Sequence, residues 1–198
     1  MKKLELGCGN NEREMDGYEN YCIDLLVPNH AVVPKGKNNF RICNLGFEHI
    51  PFEENMFDLV QAFDVVEHVP KIIYDIKNTP TKVYGLGAIE GTTKYIRLSP
   101  FIFLMNEIYR VLVPGGKLII ETPFSDQAFR RDPTHINHLS EDWFHYFQKE
   151  DNLYYDQGLV VCNFSLHSNT TRPYKWTEKD IMHTELIAVK ATHTTPLI

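Results

Sequence analysis

The stretch Leu4-Glu5-Leu6-Gly7-Cys8-Gly9 limits what this chain can become more than any other. An apolar run ending in two glycines reads as a strand meeting a tight turn, where a ligand can lie against bare backbone. Backbone N–H groups exposed at such a turn bind a carboxylate or phosphate. A dinucleotide site wants a third glycine three residues on, and Glu12 stands there instead. That departure, and the lack of a Tyr-x-x-x-Lys pair, argue against a nicotinamide-dependent reductase or epimerase. Asp24, 15 residues after Gly9, ends a second apolar run. A carboxylate in that position can take both hydroxyls of a ribose.

Further short apolar runs occur at Phe40–Cys43, Phe57–Phe63 and Lys117–Thr122. Such runs are expected of parallel strands buried on both faces. Between them, Ser99–Leu112 has apolar residues at helical spacing, with Ser99 as its N-cap, Pro100 at the first helical position and Pro114-Gly115 as its stop. Alternating strand and helix predicts a doubly wound α/β sheet with right-handed crossovers. Leu159–Leu166 and Glu185–Ala191 break the alternation and predict an antiparallel strand pair at the C-terminal end. Asp75–Arg97 is rich in glycine and proline and reads as an inserted loop or lid in one domain spanning 1–198.

The chain has 198 residues, a net charge of -6 and a pI of about 5.8. No basic block is present, so nucleic acid would bind against the overall field and is not expected as a partner. No C-x2-C spacing occurs among Cys8, Cys22, Cys43 and Cys162, so a structural zinc site is unsupported. Reduced core thiols suit a cytoplasmic setting. No signal peptide and no apolar run near the ~20 residues of a membrane helix is seen.

Taken together, these motifs resemble the class I S-adenosylmethionine-dependent methyltransferases, from residue 3 to about residue 123. Leu4–Gly9 is similar to the first motif of that family and Asp24 to its acidic ribose ligand. Asn44-Leu45 with Ile50-Pro51-Phe52 resembles the adenine-facing segment. Phe57–Val60 with Val66-Glu67-His68-Val69 resembles the fourth strand and its succeeding helix, and Glu107–Gly116 the turn before the fifth. The resemblance implies a mostly parallel seven-stranded sheet and S-adenosylmethionine as cofactor. By position, it implies that Glu5 holds the methionine amino group and that Gly7, Cys8 and Gly9 wrap the methionine part. Asp24 would then grip the ribose, Leu25 pack on the adenine, Asn44 and Leu45 face it, and Phe63 touch the cofactor. Family members usually carry helices before the first strand. Here that strand begins almost at Met1, so 75–97 and 124–151 are expected to roof the acceptor.

The loop after the fifth strand faces the transferred methyl. His135 and His138 are its candidate bases, with His68 a third. Ser140 is expected to cap a short helix carrying Trp143, Phe144 and Phe147, either as a pocket wall or as core. Some methyltransferases similar to this one hold a divalent ion in an acid-x-x-Glu-His cluster, which Asp64, Glu67 and His68 with His135 or His138 could imitate. The preferred reading is metal-free, with the acids placed at a helix start by its dipole. A small-molecule acceptor is expected. The alternative is a methyltransferase fold that binds cofactor without turnover and serves as a partner subunit.

Overall fold

A computed structural model describes residues 1–9, 13–25, 39–71, 73–76, 89–90, 95–150, 160–175 and 177–191. Its strands are β1 (Lys2–Leu6), β2 (Glu19–Asp24), β3 (Phe40–Ile42), β4 (Phe57–Phe63), β5 (Ile73–Ile76), β6 (Ile89–Glu90), β7 (Tyr95–Leu98), β8 (Leu112–Pro123), β9 (Phe164–Arg172) and β10 (Ile181–Ala188). Seven of them form one sheet in the order β3-β2-β1-β4-β8-β10-β9. The first five in that order are parallel, and β10 runs antiparallel to both β8 and β9. The seven-stranded, mostly parallel sheet with its antiparallel C-terminal pair is thus the expected fold.

The strands β1 and β4 keep the bounds read from the sequence: β4 is an apolar run broken only by Asp58 and Gln61, and β1, although three of its five residues are charged, is ended by the glycine turn. The C-terminal pair does not. Val160 and Cys162 are buried yet lie outside any strand, and pairing begins only at Phe164. The partner strand starts at Ile181, four residues before Glu185, and alternates buried and half-buried positions from there. Leu159 lies outside the described residues.

The stretch 75–97 is not simply a loop. Its described residues belong to β5, β7 and β6, which form a second, antiparallel sheet in that order. Strands of two to four residues are too short to show a period in sequence.

Among the described residues, two α-helices are present: α1 (Pro100–Val111) and α2 (Asp126–Arg130). The helix expected after β4 is only a short 3-10 turn, Val66–His68. Helix α1 supplies the crossover from β4 to β8 and buries Phe101, Leu104, Met105, Ile108 and Val111 against the sheet. Pro100 occupies the first helical position as expected. Ser99 does not cap with its side chain, because its hydroxyl donates to the Lys71 carbonyl at 2.7 Å. Helix α2 does have such a cap: Ser125 Oγ accepts from the Ala128 N–H and donates to the buried Asp180 carboxylate. The turn 141–147 is 3-10 rather than α-helical, and Ser140 makes no side-chain cap there.

The link from β1 to β2 contains no helix in its described part, residues 7–9 and 13–18. It is held down by a buried ion pair on the sheet. Lys3 and Glu5 alternate with Leu4 and Leu6 and so share a face of β1. Lys3 is fully buried, and its Nζ lies 3.3 Å from Glu5 Oε2. The same ammonium donates to the Arg13 carbonyl, and the Arg13 N–H donates to Glu5 Oε2 at 2.7 Å.

Candidate functional site

The carboxyl ends of β1, β2 and β4 converge on the glycine turn. Gly7 has φ +66, and a Cβ there would collide with Cγ2 of Val65, just past β4. Only glycine fits this backbone and this neighbour. Gly9 also has a positive φ, +54, but the space beside it is open. The turn's N–H groups are not left free. Those of Gly7 and Cys8 both donate to the Ile23 carbonyl, at 2.8 and 3.3 Å. That of Gly9 donates to Asp24 Oδ2 at 2.5 Å, while Asp24 Oδ1 accepts from the Leu25 N–H at 2.6 Å. The expectation of an open N–H cradle therefore needs correction. The parallel β1–β2 register brings Ile23 opposite Leu6, so its carbonyl takes the turn's first two donors.

Asp24 thus joins the glycine turn to the end of β2, and its carboxylate is half-buried. Beside it Leu25 is 53% exposed, and Ile42 at the end of β3 is 52% exposed. Apolar side chains left open beside a carboxylate suit a nucleoside, with a ring for the aliphatic surface and a diol for the acid. Asn44 is exposed at the end of β3, and its N–H donates to Glu48 Oε2. Leu45 packs against the core and is half-buried. Ile50 and Phe52 belong to the core: Phe52 makes edge contacts with Tyr21 and Phe57. Glu5 is buried and engaged with Lys3 and Arg13, and the Cys8 side chain is buried. Phe63 is half-buried beneath the Arg13 guanidinium, 4.2 Å from its ring centroid.

The segment after β8 reaches back to the turn after β4. The Glu67 carbonyl accepts N–H bonds from Ile136 and Asn137, at 3.0 and 2.9 Å. This brings His68 and His135 together, with ring centroids 4.8 Å apart. His68 is exposed, with Nδ1 3.2 Å from the Thr134 carbonyl. His135 is nearly buried, with Nδ1 2.8 Å from the Phe129 carbonyl and Nε2 3.8 Å from Glu67 Oε1. His138 lies apart from them, stacked on Phe129 at 4.6 Å, with Nε2 2.7 Å from the Phe124 carbonyl. Of the aromatics expected near the acceptor, Phe144 and Phe147 are core, and Trp143 is half-buried against Phe101 and beneath Lys71.

Sequence reasoning placed Glu67 in the motif after the fourth strand, as an acid at a helix start or as a member of a candidate metal cluster. The structure shows a fully buried carboxyl: Thr122 Oγ1 donates to Oε2 at 3.2 Å, and Oε1 has no hydrogen-bond partner among the described residues. Burial pushes it up to about 7, helped by the nearby Asp64 and Asp132 and opposed by its hydrogen bonds. Glu67, His68 and His135 offer ligand atoms within 4.8 Å of one another, a spacing compatible with a cation. Asp64 and His138 are not in that group.

The raised Glu67 value has a consequence for stability. Below the ordinary 4.5 the folded and unfolded states are both protonated. As pH rises from there toward about 7, the unfolded chain ionises while the folded one stays protonated, so folding loses free energy. Glu67→Gln mimics the protonated form and removes this loss. Melting curves at about pH 5 and pH 8 should show the variant gaining on the wild type at the higher pH; parallel shifts would contradict the assignment.

Cys8, Cys22, Cys43 and Cys162 are free and buried, and burial raises the Cys43 thiol to about 11, which keeps it in its unreactive form. No helix among the described residues is long and apolar enough to cross a membrane.

Residues 4–79 match the family model described as a methyltransferase domain. The chain is similar to the sterol 24-C-methyltransferase erg6 of Schizosaccharomyces pombe, 28% identical over 131 residues, which is 66% of this chain and 25% of that protein. It therefore spans about a quarter of that relative's length. Among solved structures it is similar to the N-methyltransferase NodS of Bradyrhizobium japonicum WM9, solved with S-adenosyl-L-homocysteine. The TM-score is 0.54 at 14% identity, covering 96% of this chain and 78% of that one. It is also similar to a SAM-dependent methyltransferase from Aquifex aeolicus, with TM-score 0.53 at 14% identity, covering 96% and 82%. Its fold is that of these methyltransferase structures, and its residues 4–79 match the methyltransferase-domain model.

Proposed function

We propose that this chain binds S-adenosylmethionine across the carboxyl ends of β1, β2 and β4 and methylates a small molecule held by the segment after β8. One observation carries the donor site: the Gly9 N–H and the Asp24 carboxylate meet at 2.5 Å, so the turn and the acid form one unit at the carboxyl ends of β1 and β2, where ligands of open α/β folds bind. The open space beside Gly9 and the exposed Leu25 fit the group. When bound, the donor supplies an electrophilic methyl carbon on a sulfonium.

The chain's own part is to orient and to remove a proton. Asp24 fixes the sugar end through its carboxylate, and Leu25 and Ile42 give the base an apolar bed. Fixing both reactants replaces a bimolecular encounter with a positioned one. His68 is an exposed imidazole in the turn whose Val65 abuts Gly7. A proton on Nδ1 toward the Thr134 carbonyl leaves Nε2 to accept one from an acceptor's hydroxyl or ammonium. The acidic net charge of -6 supports a small molecule over a nucleic acid. The buried thiols support a cytoplasmic setting.

Asp24→Ala tests the donor site. It removes at least one charge-assisted hydrogen bond, so calorimetric affinity for S-adenosylmethionine should fall by about 1.5–3 kcal/mol. Undiminished affinity in the folded variant would refute the assignment.

A further inference from the structure

We infer that Asp132 is a positioning residue for His68, acting through the Thr134 hydroxyl to keep the imidazole proton on Nδ1 and leave Nε2 free to accept one. The inference rests on the base role proposed above for His68. Two oxygens of Thr134 face His68 Nδ1, the carbonyl at 3.2 Å and Oγ1 at 3.1 Å. A carbonyl only accepts, whereas a hydroxyl accepts or donates. A hydroxyl that donated to Nδ1 would hold the ring in the tautomer protonated on Nε2, and that form has no lone pair to offer a substrate proton. Asp132 prevents this. Its Oδ1 accepts the Thr134 hydroxyl proton at 2.6 Å, so Oγ1 is left only to accept from Nδ1.

The carboxylate is itself held in place. Oδ1 also accepts from the Thr134 N–H at 2.8 Å, so one oxygen takes both donors of one residue. These two bonds keep the Asp132 carboxyl below the ordinary aspartate range, and it stays an acceptor. Its Oδ2 lies 3.9 Å from His135 Nε2, and the His135 ring meets that of His68 edge to face. His68 and Thr134 are exposed, where water alone would let the two tautomers exchange. Two oxygens that can only accept bias the ring toward the Nδ1–H form. When Nε2 takes a proton from the acceptor, Nδ1–H keeps donating to Thr134, and no proton passes to Asp132.

Nitrogen NMR of the full chain, labelled on histidine and held at a pH where His68 is neutral, reads the tautomer from the shifts of its two ring nitrogens. His68→Gln assigns the signals. The wild type should carry the proton on Nδ1. Asp132→Ala frees the Thr134 hydroxyl to donate and should move most of His68 to the Nε2–H form. With the competent form reduced to about a fifth, turnover of a hydroxyl or amine acceptor should fall roughly five-fold at unchanged donor affinity. Adding Thr134→Val to Asp132→Ala deletes that hydroxyl, keeps the carbonyl, and should restore the Nδ1–H form. An Asp132 that only braced the loop would not be rescued by a second loss. A wild-type His68 protonated on Nε2, an unchanged tautomer in Asp132→Ala, or a double variant that stays in the Nε2–H form overturns the inference. Full turnover in His68→Gln instead sinks the base role, and the inference with it.

Discussion

Replacing Glu5 with alanine is expected to lower the free energy of unfolding by about 3–5 kcal/mol, the cost of leaving a buried charge without its partner. The charge left behind is the Lys3 ammonium, which is fully buried and whose ion-pair partner is Glu5. The Arg13 N–H loses its acceptor in the same change. Urea denaturation of the variant measures the loss. A double replacement, Lys3→Met with Glu5→Leu, should recover most of it, because a buried pair contributes little over apolar residues of similar size. If Glu5→Ala unfolds within about 1 kcal/mol of the wild type, as a surface change would, the pair does not stabilise the sheet. The test also separates two roles for Glu5. A residue that only met the methionine amino group would weaken donor binding and leave stability alone.

His68→Gln is expected to reduce turnover about 100-fold, the lower end of what a positioned general base contributes. Donor affinity should stay nearly the same, since His68 is not among the residues proposed to hold it. Release of S-adenosylhomocysteine against a panel of small hydroxyl and amine acceptors gives the rate. His135 lies behind His68, nearly buried, with Nδ1 on the Phe129 carbonyl and Nε2 toward Glu67. Its replacement should slow turnover less. His138 is stacked on Phe129, whose ring also contacts His135, and it lies outside the His68–His135 pair. If turnover survives in His68→Gln and fails in His138→Gln, the acceptor lies at His138 instead.

Much of this was legible in the sequence. The run Phe57–Phe63 is apolar enough to be read to the residue, whereas β1, with Lys2, Lys3 and Glu5 among its five residues, is marked by the glycine turn that follows it, and Gly7 and Asp24 point to the proposed ligand site by type and spacing alone. Other features depend on contacts between distant parts of the chain. Nothing local shows that the Ile23 carbonyl occupies two turn donors, since that arises from the β1–β2 register. Val65 gave no sign that it fills the place of a Gly7 side chain. Phe144 and Phe147 have the spacing of a pocket wall and of a core equally, and tertiary packing decides for core. Lys3 was the nearest miss: its alternation with Glu5 on one strand face was visible, but its complete burial was not.

The bonds from Ile136 and Asn137 to the Glu67 carbonyl tie the segment after β8 to the same short turn whose Val65 rests on Gly7. In the donor site proposed above that turn is one wall, so an acceptor that displaces the segment after β8 would strain it. Occupancy on one side would then alter affinity on the other, by the same factor in both directions. The two reactants would load cooperatively, and each would report on the other in a simple titration.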